Sequence, residues 1–271
     1  MEASVRLSSS VLLRLMGGLY LSALSLVMAA PIVIVVLVSF SPSPVFDLPT
    51  HSISLQWYRK LLTLDSLWPA VGLSLQIAAV TTSVSLVLGT LCAIGIQRGS
   101  FRGRDTLLTL VLSPMMLPGV VIGIGMLQTF RSIGIEDGYK ALMLGHIVLT
   151  LPYIVRILYG SLQLFDYSMV DAARTLGYSH GMALVKVLVP NLGPALVTSG
   201  MFAFLTSVDN YALALFLGDV RNVTLPIQIL KYLDQASDPS VAAIASIMVL
   251  ATILVLVVAE RLVGMRRLMG G

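Results

Sequence analysis

Charge is what this sequence has least of. Asp, Glu, Lys and Arg make up 11% of its 271 residues, whereas a soluble domain carries roughly a quarter of such residues to cover its surface. Against 57% hydrophobic residues, that shortage excludes a chain solvated by water alone. Cysteine is nearly missing as well: Cys92 stands alone inside an apolar run, so no intramolecular disulfide can form, and a small core residue is its plain reading. No polar stretch between the apolar segments is long enough to fold separately, so residues 1–271 read as a single membrane domain. Low-complexity tracts and internal repeats are absent too, which speaks against a transporter built from two inverted halves. The signature motifs of catalysis are also missing, namely a Gly-x-x-x-x-Gly-Lys-Ser/Thr phosphate loop, a serine elbow and a His-Glu-x-x-His metal pair. This excludes ATP hydrolysis by the chain itself and predicts that it is not an enzyme and holds no cofactor of its own.

Long apolar runs fill the space. A helix needs roughly 20 apolar residues to cross the hydrocarbon, because its backbone polar groups find partners there only within the helix. Six segments meet that demand, approximately Gly17–Phe40, Pro69–Ile96, Thr106–Phe130, Ala141–Leu162, Leu192–Leu217 and Val241–Ala259. The expected fold is therefore an all-α integral membrane protein with six transmembrane helices. Basic residues near the amino terminus precede a long apolar run, as in a signal peptide, but Gly17–Phe40 is too long for one and lacks a small-residue cleavage pattern, so it reads as an anchor. Pro31, Pro114, Pro118 and Pro152 are expected to kink or break their helices.

The net charge of +4 is spread among the spans rather than gathered into a patch, which suits topology and not nucleic acid as a partner. With the amino terminus inside, the inner side holds Arg6, Arg14, Arg98, Arg102, Arg104, Arg156, Arg174, Lys186, Arg261, Arg266 and Arg267. The outer side holds Arg59, Lys60, Arg131, Lys140, Arg221 and Lys231. Eleven against six predicts that both termini are cytoplasmic, and Gln97–Asp105, with three arginines, is the clearest inward marker.

The longest inner segment, Phe165 to Pro194, reads as two short helices. Ser168 followed by Asp171 has capping-box spacing and would start a helix from Met169 to about Leu176. Gly177 would end it in the left-handed conformation, Ser179 would cap the second helix and Pro190 would stop it. In the bilayer, Asp209 is the candidate for the solute path, since a carboxylate inside a span is costly unless it is paired or faces water. Phe202, Thr206 and Phe216 fall on its helical face and Asn210 flanks it, a set that suits an ammonium group through charge pairing and cation–π attraction. Pairing of Asp209 with Arg156, His146 or a partner subunit for packing is the competing reading. His146 itself reads as a hydrogen-bonded interior histidine or a path residue, and Arg156 as a side chain reaching the inner interface.

Asp171-Ala172-Ala173, Leu176-Gly177, nine residues and then Val187-Leu188-Val189-Pro190 resemble the EAA loop of inner-membrane permeases of binding-protein-dependent ABC importers. That pattern is Glu-Ala-Ala, three residues, Gly, nine residues, Ile-x-Leu-Pro. The spacing agrees throughout, with Asp171, Val187 and Val189 as conservative departures. Trp57-Tyr58, Ser113-Pro114 with Leu117-Pro118, His146 with Leu151-Pro152, Ser207-Val208-Asp209-Asn210 and Asp238-Pro239-Ser240 resemble the spermidine/putrescine-type branch of the family. The resemblance implies the type I importer permease fold and a coupling loop over 165–194, with Asp171, Ala172, Ala173, Gly177 and Pro190 meeting an ATPase. It also implies two ATPase subunits that hold the ATP and magnesium, a second permease subunit, an extracytoplasmic solute-binding protein and a bacterial inner membrane. Spermidine or putrescine would be the solute, with another amine, an amino-acid derivative or an aminophosphonate as alternatives. An ion-coupled secondary transporter, the rival from another class, would need charged residues in more spans than Asp209, His146 and Arg156 supply.

Overall fold

The computed structural model describes the backbone of residues 2–49, 52–236 and 238–269, and the side chains of 15–49, 52–236 and 238–264. The side chains of Arg6, Arg14, Arg266 and Arg267, four of the cations expected on the inner side, lie outside the described residues. The chain forms two compact units, Met1–Leu64 with Leu233–Ala251, and Asp65–Tyr232 with Thr252–Gly271.

In the first unit, helix α1 (Glu2–Val38) runs through Pro31 without interruption. Its apolar stretch Leu15–Val38 is almost bare, as a helix surrounded by lipid requires. The segment after it is tied to α2 (Gln56–Leu62): Trp57 Nε1 donates to the Ser41 carbonyl at 2.7 Å, and the Ser39 and Tyr58 hydroxyls meet at 2.7 Å. Lys60 Nζ lies 2.7 Å from Asp238 Oδ2, just ahead of the last helix.

The second unit is organised by α3 (Leu67–Arg98) and α6 (Gly138–Gln163), both long and apolar enough to cross a membrane. Small and hydroxylic residues at helical spacing on α3, among them Ala70, Ser74, Ala78, Thr81, Ser85, Gly89 and Ala93, face inward. Close approach of the helices follows: a Cβ on Gly89 would stand 2.7 Å from Ile154 of α6. Pro152 is accommodated inside α6 without a break.

The third expected span, Thr106–Phe130, is instead a broken one. Helix α4 (Arg104–Leu112) and a 3₁₀ turn at Ser113–Met116 are followed by α5 (Gly119–Ser132), and the two halves are bent by 109°. Pro118 is the cause: it drives Leu117 into extended backbone (ψ 142°) and is itself extended (ψ 136°).

After α6 come α7 (Ser168–Thr175), α8 (His180–Asn191) and α9 (Gly193–Val208), with a 71° bend between the last two. The fifth expected span, Leu192–Leu217, also departs from the single helix read from the sequence. It stops at Val208 and resumes as α10 (Tyr211–Leu217). At 1.5 Å per residue α9 is about 24 Å long, short of a 30 Å hydrocarbon layer, so α10 is needed to complete the crossing. Helix α11 (Leu225–Gln235) precedes α12 (Ser240–Met269), which carries the last apolar stretch, Ser240–Gly264. Among the described residues four helices are long and apolar enough to cross a membrane alone, and up to six spans result if each bent pair, α4 with α5 and α8 with α9, counts as one.

Candidate functional site

Two places in the second unit collect the residues singled out from the sequence. The first is the interruption of the fifth span. Val208 ends α9, Asp209 caps it, and Asn210 adopts extended backbone (ψ 95°) with its side chain accepting the Leu213 amide at 2.8 Å. Asn210 is thus the N-cap of α10, and the Asp209-Asn210 pair is a helix boundary rather than helix interior. Asp209 is exposed, and its carboxylate has no hydrogen-bond or ion-pair partner among the described residues. Neither Arg156, itself exposed, nor His146 pairs with it within the chain.

Phe202, 47% exposed, and Thr206 precede Asp209 on the same helix by seven and three residues, so they do share its face. Phe216 does not, because the break cuts the helical register between them. Its ring lies instead against α5, where a Cβ on Gly123 would stand 2.7 Å from it, and a Cβ on Gly119 would stand 3.1 Å from Ala212. Helices α5 and α10 are therefore packed together through small residues.

His146 is not on the surface that Asp209 presents: it is 2% exposed. Its Nδ1 lies 2.7 Å from Ser207 Oγ, and Ser207 Oγ lies 3.4 Å from Thr81 Oγ1. One turn deeper, Ser85 and Thr150 join their hydroxyls at 2.8 Å. The His146 Nδ1 and these hydroxyls thus knit α3, α6 and α9 together just below the break, while His146 Nε2 is buried without a partner. Sequence reading missed Thr81, Ser85 and Thr150, because hydroxyls scattered in an apolar run also satisfy themselves on their own helix. Thr81 donates to the Ile77 carbonyl and Thr150 to that of His146.

The second place is the loop after α6. Ser168 does not cap α7 but is its first residue, following Tyr167 at the N-cap position, and the Asp166 carboxylate accepts the Ser168 amide at 2.9 Å and the Ser168 hydroxyl at 2.8 Å. These two bonds hold the Asp166 carboxyl below the ordinary range. Asp171 does not complete a capping box and faces Arg174 at 3.4 Å. Val170 and Ala173 are buried in the core below, while Asp171, Ala172 and Gly177 are exposed, so one side of α7 is anchored and the other is presented.

Gly177 sits at φ +96°, as its place after a helix requires, and the Tyr178 amide reaches back to the Ala173 carbonyl at 3.2 Å. Ser179 caps α8 through the Met182 amide. Pro190 does not stop α8. The helix passes through it to Asn191 by way of a π-helical stretch at Leu184–Leu188, which absorbs the amide that proline lacks, and the chain turns at Leu192.

The loop is also tied to the arginine-rich turn. Tyr167 donates to Gln97 Oε1 at 2.8 Å and its ring lies 4.5 Å from the Arg98 guanidinium, while Arg104 donates to Tyr159 at 2.9 Å. Burial pushes the Tyr167 phenol up, with Arg98 opposing. Two segments predicted independently to face inward therefore lie on one side of the unit.

A multi-pass chain with two broken spans, a polar interruption open to one face and an anchored helix-turn-helix loop has the form of a membrane permease subunit. Residues 85–267 match the family described as binding-protein-dependent transport system inner membrane component, and the chain belongs to that family. Over 236 residues it is 30% identical to the spermidine/putrescine transport system permease protein PotC of Escherichia coli K12, covering 87% of this chain and 89% of that one. It is 28% identical over 227 residues to the putrescine transport system permease protein PotI of the same organism, covering 81% and 80%. Its fold is shared with a bacterial ABC transporter involved in the import of the acidic polysaccharide alginate, with a TM-score of 0.73 at 19% identity, covering 93% of this chain and 97% of that one.

Proposed function

We propose that this permease subunit carries a small cationic organic solute, a polyamine such as putrescine or spermidine, inward across the bacterial inner membrane. The observation that carries the reading is Asp209, an exposed carboxylate without a partner among the described residues, held where the fifth span is interrupted and followed by Asn210. A carboxylate in such a place is favoured only when it faces water or a cation, and an ammonium group supplies the cation. Phe202 adds an aromatic face and Thr206 a hydroxyl on the same side. Likeness to two polyamine permeases supports the same solute class.

In this reading the chain pairs with a second permease subunit around the path. Two ATPase subunits, which hold the ATP and magnesium, dock on the exposed side of α7 through Asp171, Ala172 and the Gly177 turn, with Pro190 holding the course of α8. A solute-binding protein delivers from outside. Both termini are cytoplasmic, as is the turn 97–105, so a cysteine at Ser100 in a Cys92-free background is expected to resist an impermeant thiol reagent in intact cells; labelling there would reverse the orientation.

Calorimetric titration of the solute-binding protein that serves this complex tests the solute. Putrescine or spermidine is expected to bind, and binding confined to a zwitterionic amino-acid derivative or an aminophosphonate would overturn the polyamine reading.

A further inference from the structure

We infer that His146 is a positioning residue for translocation, acting through Ser207 to fix where α9 ends and hence where Asp209 stands. The inference rests on the reading of Asp209 as the solute-path carboxylate. The Asp209 side chain has no hydrogen bond or ion pair among the described residues to hold it, so its place is set by the backbone on either side. On the far side Asn210 caps α10. On the near side Ser207 is the anchor: its carbonyl accepts the Asn210 amide at 3.4 Å, and its hydroxyl is held by the side chains of two other helices.

The direction of these bonds follows from hydrogen counting. Thr81 gives its single hydroxyl hydrogen to the Ile77 carbonyl at 2.7 Å, so towards Ser207 it can only accept. Ser207 therefore gives its hydrogen to Thr81 and must accept from His146. The histidine donates from Nδ1, and the chain runs His146 to Ser207 to Thr81 to the Ile77 carbonyl. Nε2, buried without a partner, is then left as a lone pair rather than an orphaned N–H, the less costly of the two. His146 is thus the donor at the head of a chain spanning α6, α9 and α3, and Ser207, two residues from Asp209, is the link that depends on it.

The test is uptake of radiolabelled spermidine by the whole complex, normalised to the amount of assembled complex. His146→Leu, which removes the donor, is expected to lower uptake about tenfold, the order of one lost buried hydrogen bond. His146→Asn places an amide N–H where Nδ1 stood and is expected to restore most of it. On an Asp209→Asn background His146→Leu should add less than about twofold, because there is no longer a carboxylate to position. Ser207→Ala, which removes one oxygen, should repeat the pattern and carries the test if His146→Leu fails to assemble. An equal loss from His146→Leu or Ser207→Ala on both backgrounds would mark a packing role and overturn the inference, as would failure of His146→Asn to recover uptake. Normal uptake by Asp209→Asn alone would overturn the reading of Asp209 itself, and this inference with it.

Discussion

Replacing Gly177 with valine is expected to detach the ATPase from the membrane subunits while leaving the transmembrane helices folded. Gly177 holds φ +96° and a Cβ there would meet nothing within 4 Å, so the whole penalty is conformational. For an ordinary L-residue the left-handed region costs about 1–2 kcal/mol, and a β-branched side chain is worse placed there than any other. The turn joins an anchored α7 to α8, so relaxing it swings the exposed Asp171 and Ala172 away from the direction they now share. A shift of that size in a docking equilibrium is about tenfold or more. Co-purification of the ATPase and binding-protein-stimulated ATP hydrolysis should both fall, whereas Gly177→Asn, which tolerates the same conformation, should retain most of each. Unchanged co-purification and hydrolysis in Gly177→Val would mean that this turn does not carry the coupling.

Asp209→Asn is expected to leave the amount of assembled complex unchanged and lower polyamine uptake tenfold or more. The amide keeps the size of the side chain and removes its charge alone. No partner within the chain is orphaned by the change, because Asp209 forms no ion pair among the described residues. If the carboxylate instead pairs with a cation of the second permease subunit, the same substitution strands that cation and the assembled complex is lost. Quantifying complex in the membrane alongside uptake separates the two results, and normal values of both would leave Asp209 a hydrated bystander.

How much of this was legible beforehand follows from what kind of signal each element carries. The four uninterrupted spans stand close to their expected limits, since twenty or more apolar residues in a row leave a helix few alternatives in lipid. Gly177 and Ser179 take the roles read from their neighbours because a helix end is a local event of a few residues. The same locality misled at Ser168, where Asp166 lies two residues earlier and accepts from both the amide and the hydroxyl of that serine.

The breaks were harder to see. Pro114 and Pro118 announce a disturbance, but Pro31 and Pro152 announce one equally and sit inside unbroken helices. What differs at Leu117-Pro118 is that two successive residues go extended, and the short helix beyond finds a partner in α10 through Gly119 and Gly123. Asp209-Asn210 carried the usable signal: an Asx residue followed three positions later by the amide it caps. Read as a polar patch on a continuous helix, the pair misassigned Phe216 to the face of Asp209. The His146–Ser207–Thr81 chain joins residues 61 and 126 positions apart, and a single sequence holds no trace of such pairings.

The measurement that bears most directly on the central claim is uptake of radiolabelled spermidine into proteoliposomes containing the complete complex, with its binding protein outside and ATP either trapped inside or omitted. Uptake is predicted to require both, to stop with Gly177→Val, and to be indifferent to ionophores that collapse proton and sodium gradients. Uptake that persists without ATP or the ATPase subunits and collapses with the ionophores would contradict the account and identify an ion-coupled transporter.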